Sequence, residues 1–333
     1  MRQAKQRAVS GRLLAEGPPA VREALAGGWV EALLATREAA GRDPELVARG
    51  WWEVDPAVMA QLADTATPSG LLAVCRWAPL TDLSSLVPRT GEPSPDVNPS
   101  VPVAGLGPAA GPQGGPPVAY DPLAPPAGGV SSNGGDPPVS PVGGISAAGG
   151  GPRLVVVCAR VRDPGNLGAI IRCADAAGAD AVVVTAASVD VTNPKTVRAS
   201  AGSLFHLPIH VGADLSRTAA RLRAAGLTLL AADGHGPTAL DELDRGGGLS
   251  RPVAWLLGNE AWGLPAADQE LADQVVRIPL WGRAESLNLA CAAAICLYTS
   301  AAAQRRGPDV ALEPGADAAG SRPPGLSGCG GLD

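Results

Sequence analysis

The chain has 333 residues and a formal net charge of −6 at pH 7. The charge is unevenly spread, because residues 79–152 sum to −4 and residues 307–333 to −3, whereas residues 1–78 sum to zero and residues 153–306 to +1. The acidic total therefore does not exclude a polyanionic partner for the other two segments.

Two of these segments have a composition that disfavours folding. Residues 79–152 contain 17 Pro and 15 Gly and few aromatic or long aliphatic side chains. Such a segment cannot bury enough apolar surface to offset its ordering entropy, so we expect a disordered linker there and a disordered tail at 307–333. Two foldable blocks remain, residues 1–78 and residues 153–306, and each is long enough for its own core.

Apolar spacing predicts a small α/β domain in residues 1–78. A turn-forming run at 67–70 separates its last strand from the preceding helix. The predicted strands are 11–15, 29–34, 52–54 and 71–75, and the predicted helices are 18–26 and 56–65.

In residues 153–306, continuous apolar strands alternate with helices, which indicates a parallel sheet covered on both faces. Ligands of such sheets bind beyond the carboxyl ends of the strands. The predicted strands are 154–158, 181–185, 209–211, 227–232, 253–257 and 275–278, and the predicted helices are 166–177, 194–203, 215–225, 265–273 and 286–304.

Polar residues follow the first strand of this second block. Asn166 is a good N-cap for the helix there, and Arg172 falls on the side of Gly168, away from the apolar stripe. Arg172 is either an ordinary exposed arginine or one that binds a phosphate or a developing oxyanion where Gly168 lets a ligand approach. Lys195 and Arg198 share a helix face, which is either a solvated face or a way to hold a phosphate backbone.

Two further polar segments follow later strands. In the loop 258–263, glycines bracket a single acid, Glu260, which is either a solvated carboxylate or part of a site that a ligand approaches closely. In 277–290, a short strand enters a turn that opens a helix and presents backbone N–H and C=O groups to a ligand.

Several functional classes are disfavoured. No G-x-G-x-x-G run follows the first strand of the second block, which argues against a dinucleotide enzyme or an open-sheet methyltransferase. The histidines, His206, His210 and His235, lie away from any nucleophile motif. The six cysteines form no C-x-x-C pair and no zinc spacing, so we expect no metal and reduced, buried thiols in a cytoplasmic protein.

We also expect neither a secretory signal nor a membrane span. No apolar region follows the basic residues near the N-terminus. The apolar run 287–303 contains Asn288, Thr299, Ser300 and many alanines, which favours a packed core or interface helix.

Taken in order, three motifs resemble those of the SpoU/TrmH-type RNA 2′-O-ribose methyltransferases. The first is N-x-G-x-x-x-R at 166–172, the second is G-x-E-x-x-G-L at 258–264, and the third is I-P-hydrophobic followed by S-L-N at 278–288. The P-K-x-x-R-A-S-x-G run at 194–202 fits the same family. Residues 1–78 are similar to its ribosomal-protein-like RNA-binding domain.

The resemblance implies a fold and an activity. The fold is a parallel-sheet α/β trefoil-knot domain at 153–306, preceded by a small α/β RNA-binding domain at 1–78. The activity is methyl transfer from S-adenosylmethionine to a ribose 2′-hydroxyl in structured RNA, with ribosomal RNA ahead of transfer RNA. The implied protein is a cytoplasmic homodimer that uses its last helix as an interface and has no membrane partner. The long linker suggests a loosely tethered RNA-binding domain.

Other functions remain open on the sequence. A transfer RNA methyltransferase, an antibiotic-resistance methylase and a non-catalytic RNA-binding or ribosome-assembly factor would share these motifs. A nicotinamide oxidoreductase is more remote.

The resemblance also implies roles for particular residues. In the family, Arg172 is the proposed activator of the 2′-hydroxyl. Because an arginine is hard to deprotonate, we expect instead that it stabilises the developing alkoxide and orients a neighbouring phosphate, while the proton leaves by another route. The implied catalytic set is Arg172, Asn166, Glu260, Ser286 and Asn288, and the implied cofactor contacts are Ala232, Gly258, Asn259, Ile278, Leu280 and Leu287.

Overall fold

The computed structural model describes residues 7, 10–77, 80 and 151–306. The predicted tail lies outside the described residues. The predicted linker also lies outside them, except for Leu80, Gly151 and Pro152.

The N-terminal domain is built on a four-stranded mixed sheet in the order β1-β4-β2-β3. Its strands pair antiparallel except for β2 and β3, which are parallel. The elements are β1 (Arg12–Glu16), α1 (Pro18–Ala26), β2 (Val30–Ala35), α2 (Arg37–Arg42), α3 (Pro44–Val47), β3 (Trp52–Glu53), α4 (Pro56–Leu62) and β4 (Leu71–Arg76).

All four predicted strands and both predicted helices of this domain are present. Helices α2 and α3 were not predicted, because six and four residues are too few to show a helical period. The Thr36 side chain caps α2 by accepting a hydrogen bond from the Ala39 N–H at 3.2 Å.

The C-terminal domain contains a seven-stranded sheet in which every neighbouring pair is parallel, as predicted. The strand order is β7-β6-β5-β10-β8-β11-β9. The strands are β5 (Leu154–Cys158), β6 (Ala181–Thr185), β7 (Ile209–Ala213), β8 (Thr228–Ala232), β9 (Thr238–Ala239), β10 (Val253–Leu257) and β11 (Gln274–Arg277).

The helices of this domain lie between these strands and after the last one. They are α5 (Pro164–Ala177), α6 (Pro194–Ala199), α7 (Leu215–Ala224), α8 (Leu240–Arg245), α9 (Ala266–Gln269) and α10 (Leu289–Arg306). The predicted helix 194–203 is too long, because Ala201 and Gly202 take positive φ values of 49° and 100° that end α6. The predicted helix 265–273 shortens to α9, and β9 and α8 were not predicted.

The core explains the apolar strands. Every residue of β5, β6 and β10 is buried, so both faces of the sheet are covered. Helix α10 packs on the sheet, and the indole Nε1 of the buried Trp255 donates to Ser300 Oγ at 2.9 Å. Within the described part of the chain, no helix has the length and apolarity needed to cross a membrane.

The cysteine expectation is partly wrong. Burial raises the pKa of Cys75, Cys158 and Cys296 to about 12, so these thiols stay protonated at neutral pH. Cys173 is half-buried and Cys291 is exposed on α10. The Ala-rich sequence of that helix has no strong apolar stripe from which the exposed side could have been identified.

The two domains share one hydrophobic core, so the expectation of a loosely tethered N-terminal domain is wrong. The rings of Trp29 and Phe205 lie 6.1 Å apart between their centroids. Leu80 pairs with the edge strand β7, donating from its N–H to the Ile209 carbonyl at 3.2 Å and accepting from the Val211 N–H at 3.0 Å. A long linker limits reach but does not prevent complementary surfaces from packing, and one sequence does not reveal that complementarity.

Candidate active site

The three polar segments meet at the carboxyl edge of the parallel sheet. Strands β5, β10, β8 and β11 are consecutive in the sheet, and the chain leaves each of them at that edge. The loops that follow β5, β10 and β11 carry the three motifs, although Asn166 is 94 residues from Glu260 and 122 from Asn288 along the chain. The sheet order therefore brings the motifs together.

Asn166 joins the three motifs through its side-chain amide. Its Nδ2 donates to Glu260 Oε1 at 3.1 Å, and its Oδ1 accepts from Asn288 Nδ2 at 3.0 Å. Asn288 Oδ1 in turn accepts from the Ala290 N–H at 2.9 Å, at the start of α10. Three of the five predicted catalytic residues thus form one hydrogen-bonded chain, which we call the Glu260–Asn166–Asn288 chain.

Glu260 is held by backbone donors as well as by Asn166. The N–H groups of Arg162 and Asp163 donate to its two carboxylate oxygens at 3.3 Å and 3.1 Å. Burial by itself would raise the pKa of Glu260, but the hydrogen bonds from Asn166 and the backbone lower it overall. The carboxylate is therefore ionised at neutral pH and is a weak base.

The N-cap of α5 is Asp163, so the expectation that Asn166 caps this helix is wrong. Asp163 Oδ1 accepts from the Asn166 N–H at 2.8 Å, and its Oδ2 pairs with Lys195 Nζ at 2.7 Å. The hydrogen bond from Lys195 is the main reason that the pKa of Asp163 is lowered. Because Pro164 opens the helix earlier than predicted, Asn166 lies within the first turn and its side chain is available to the Glu260–Asn166–Asn288 chain.

Gly168 allows close contact within the chain itself. A Cβ at this position would lie 2.4 Å from the Thr196 carbonyl oxygen and 2.7 Å from the Ala199 Cβ, so only glycine lets α6 approach α5 this closely. The expectation that a ligand approaches here is wrong, because α6 occupies that space.

Arg172 differs from Lys195 and Arg198, the other basic residues predicted to hold a phosphate. It is exposed, and its guanidinium makes no hydrogen bond or ion pair with any residue that the structure describes. No hydrogen bond connects it to Glu260 or Asn166. Lys195 and Arg198, predicted as a possible phosphate-binding pair, both contact carboxylates, Lys195 on Asp163 and Arg198 on Asp64.

The loop after β10 is tightly closed. Asn259 and Gly263 exchange backbone hydrogen bonds of 2.8 Å and 3.0 Å, and a Cβ on Gly258 would lie 2.5 Å from the Gly263 carbonyl carbon. The Asn259 side chain is buried, donating to the Arg160 carbonyl at 3.2 Å and accepting from the Ala261 N–H at 2.9 Å. The Asn259 side chain therefore fixes the conformation of the loop.

The other predicted cofactor contacts surround this loop. Ala232 ends β8 and pairs with Leu257 on one side and Val276 on the other, so it lies between the strands that lead to Gly258 and Ile278. Ile278 is half-buried, while Leu280 and Leu287 are 40% and 36% exposed. Ser286 is exposed in the same segment.

A hydrogen-bonded bridge between the end of β8 and the loop after β10 was not predicted from the sequence. Asp233 directly follows Ala232, and its Oδ2 accepts from Gln269 Nε2 at 3.1 Å. The same Gln269 nitrogen donates to the Leu264 carbonyl at 2.9 Å, which fastens the loop after β10 to the end of β8. An Asp-Gly pair directly after an apolar strand was the signal available in the sequence.

Comparison with known proteins now adds to this geometry. Residues 153–298 match the SpoU rRNA Methylase family, and residues 1–73 match the MRM3-like substrate binding domain. The C-terminal domain, called the SpoU domain below, is therefore similar to members of the SpoU methylase family. The parallel-sheet α/β fold is therefore confirmed, and the trefoil knot implied by the resemblance fits this family.

Two curated relatives resemble the SpoU domain. The chain is 41% identical over 146 residues to the 23S rRNA (guanosine(2553)-2′-O)-methyltransferase RlmP of Bacillus subtilis, covering 44% of this chain and 57% of that protein. It is 43% identical over 151 residues to the 23S rRNA (uridine(2479)-2′-O)-methyltransferase of Streptomyces viridochromogenes, covering 44% of this chain and 51% of that protein. The chain thus spans about half of the length of these relatives.

A solved structure extends the similarity to both domains. The SpoU methyltransferase AviRb from Streptomyces viridochromogenes, in complex with the cofactor AdoMet, is 28% identical with a TM-score of 0.62. The match covers 92% of this chain and 95% of that one.

Proposed function

We propose that the chain is an S-adenosylmethionine-dependent methyltransferase that modifies a ribose 2′-hydroxyl in structured RNA, with ribosomal RNA ahead of transfer RNA. The observation that carries this proposal is the Glu260–Asn166–Asn288 chain, which joins all three motifs. Arg172, on the same helix as Asn166, is exposed and has no hydrogen-bond or ion-pair partner among the described residues. The two relatives described above, both named as 23S rRNA 2′-O-methyltransferases, support ribosomal RNA as the substrate.

The residues around the loop after β10 fit the cofactor. A side chain at Gly258 would clash with Gly263 and Leu264, so glycine allows the loop to close tightly. Around the loop, Ala232, Ile278, Leu280 and Leu287 would supply apolar surface for an adenosine. Asn259 would act through the loop conformation that its side chain fixes. When bound, S-adenosylmethionine supplies an electrophilic methyl group on its sulfonium.

Arg172 would act on the developing charge of the attacking oxygen. As the 2′-hydroxyl oxygen takes up the methyl group, S-adenosylhomocysteine leaves and the hydroxyl proton passes to water. An arginine that stays protonated stabilises the developing alkoxide and a neighbouring phosphate. Glu260 is a weak base with its oxygens already bonded, so its role would be to orient Asn166 and the first turn of α5. Ser286 and Asn288 would complete the wall on the side of α10, and correct positioning of the two reactants would supply most of the rate gain.

The proposed enzyme acts as a homodimer in the cytoplasm, where its RNA substrate is found. Helix α10 exposes Ile295 (39%) and Tyr298 (53%), and Leu287 lies just before it. Apolar side chains exposed together on one helix favour an interface with a second copy. Light scattering of the purified chain would show a dimer, and a charged residue in place of Tyr298 would shift it towards the monomer.

The proposal is tested by methyl transfer in vitro. The purified chain is mixed with labelled S-adenosylmethionine and with ribosomal or transfer RNA from a strain that lacks the gene, and the modified position is mapped. We expect 2′-O-methylation of ribosomal RNA at one position. Modification of transfer RNA alone would correct the substrate, and tight cofactor binding without transfer to either RNA would favour a non-catalytic RNA-binding factor.

A further inference from the structure

Helix α6 lies between the two domains. It packs against β1 of the N-terminal domain and against α5 of the SpoU domain. Arg198, near its end, pairs with two carboxylates of the N-terminal domain: Asp64 Oδ2 at 3.1 Å and Glu16 Oε2 at 3.9 Å from Nη1. Glu16 also accepts from the Asp64 N–H at 3.1 Å, so the two carboxylates form one cluster around the guanidinium.

The same helix also holds the start of α5. Gly168 is in van der Waals contact with the α6 backbone, and Lys195 pairs with Asp163, whose other oxygen caps the first turn of α5 at Asn166. A movement of α6 would therefore move the turn that holds the Glu260–Asn166–Asn288 chain. A displacement of α6 would be transmitted to α5 because close-packed helices are barely compressible.

We propose that Arg198 is a positioning residue through which the N-terminal domain sets the position of α5, and hence of Arg172, relative to bound RNA. This inference rests on the proposed function. Its consequence is a fixed spacing between the RNA segment bound by the N-terminal domain and the nucleotide that is methylated. An RNA-contacting role for Arg198 is disfavoured, because its charge is already neutralised by Asp64 and Glu16.

Arg198→Met tests the proposal, with Arg198→Lys as the matched control. Methionine keeps the aliphatic packing and removes the ion pairs, whereas lysine keeps the charge. The probes are S-adenosylmethionine by calorimetry and ribosomal RNA from a strain that lacks the gene, with single-turnover rates at saturation of both. For Arg198→Met we expect a rate about 10-fold lower and methylation spread to neighbouring nucleotides, because small misplacements of reacting groups cost up to about 10²-fold.

The affinities separate the possible explanations. We expect both dissociation constants of Arg198→Met to stay within about 2-fold, and Arg198→Lys to keep most of the rate. A weaker RNA affinity with an unchanged rate, or wild-type rate and position, would overturn the positioning role. If Arg198→Met does not fold, Asp64→Asn weakens the same contact from the N-terminal side. It must then also lower the rate while leaving both dissociation constants unchanged.

The wild-type chain tests the proposed function separately. If the wild type transfers no methyl group, the proposed function is contradicted, but the coupling of the N-terminal domain to α5 through Arg198 is not. In that case, hydrogen exchange decides the coupling. Faster exchange of the Asn166 and Leu167 amides in Arg198→Met than in Arg198→Lys would support it, and equal exchange would contradict it.

Discussion

The first turn of α5 and the middle of the same helix differ in how their polar groups are satisfied. At the start of α5, Asp163 bonds to Lys195 and Glu260, and Asn166 bonds to Glu260 and Asn288. Two turns later, the exposed Arg172 has no partner among the described residues. Polar groups that maintain the shape of a site are bonded to the protein, whereas a charge left in solvent beside them is available to a ligand.

Replacing Arg172 is expected to have the largest effect, because it removes the group proposed to meet the substrate. Arg172→Ala should lower the transfer rate about 10²- to 10³-fold, the usual loss on removing a donor to developing negative charge. Cofactor affinity, measured by calorimetry, should be unchanged, because no bond of the protein is broken. Arg217→Ala, at an exposed arginine of α7, is the matched control and should behave as wild type. Near-wild-type methylation by Arg172→Ala would remove Arg172 from the site.

Replacing Asn166 removes hydrogen bonds from the first turn of α5. Asn166→Ala removes the hydrogen bonds to Glu260 and Asn288 together, and we expect the rate to fall about 10- to 10²-fold because the wall between the loops is no longer fixed. Since Asn288 reaches Glu260 only through Asn166 in the described structure, the double variant Asn166→Ala, Asn288→Ala should lose little more than the single one. Additive losses in single-turnover measurements would show that the two residues act independently.

Gly168→Ala tests whether this position serves the protein rather than a ligand. The added Cβ would meet the α6 backbone and Ala199, and overpacking of this kind costs about 1–3 kcal/mol in the free energy of unfolding. Urea denaturation measures the change, and Gly41→Ala, at a glycine of α2 with open space around it, is the matched control for a new side chain on a helical glycine. A stable Gly168→Ala with weaker RNA binding would restore the ligand interpretation.

The sequence was sufficient for the elements that leave a long periodic pattern. Strands β5, β6 and β10 lie at the predicted positions. A short uninterrupted run of aliphatic residues that alternates along the chain with amphipathic helices indicates a buried strand of a parallel sheet. The motif order also predicted the site residues that the structure links, Asn166, Glu260 and Asn288. Short elements such as α3 and β9 were missed, because two to four residues carry no measurable period.

Contacts between distant residues were not predictable from a single chain. Nothing at Lys195 or Arg198 shows that each cation has a carboxylate 32 or 134 residues away, so both looked available for phosphate. The role of Gly168 was misjudged for the same reason, because its neighbour α6 becomes visible only in the packed structure. These errors concern pairing across elements, whereas the elements themselves were largely correct.

The last turn of α5 offers the mildest test, through a histidine between the domains. His206 Nδ1 lies 2.8 Å from Asp175 Oδ2 of α5, and its Nε2 lies 3.0 Å from Glu23 Oε2 of α1. Burial lowers the pKa of His206, but hydrogen bonds and charge from the two carboxylates raise it overall. The protonated form is therefore favoured in the folded chain, so its stabilisation is complete below about pH 6.5, the ordinary value, and is lost as pH rises through the raised pKa.

Thermal unfolding at pH 6 and pH 8 measures this contribution. The wild type should lose more stability than His206→Gln between the two values, because glutamine keeps a polar contact that does not titrate. The His206 side chain is 41% exposed, so we expect the difference between the proteins to be about 1–2 °C, in line with a partly screened pair worth less than about 1 kcal/mol. If the stability of both proteins changes equally between pH 6 and pH 8, protonation of His206 does not stabilise the contact between the domains. That contact then depends on the shared core around Trp29 and Phe205 and on Arg198.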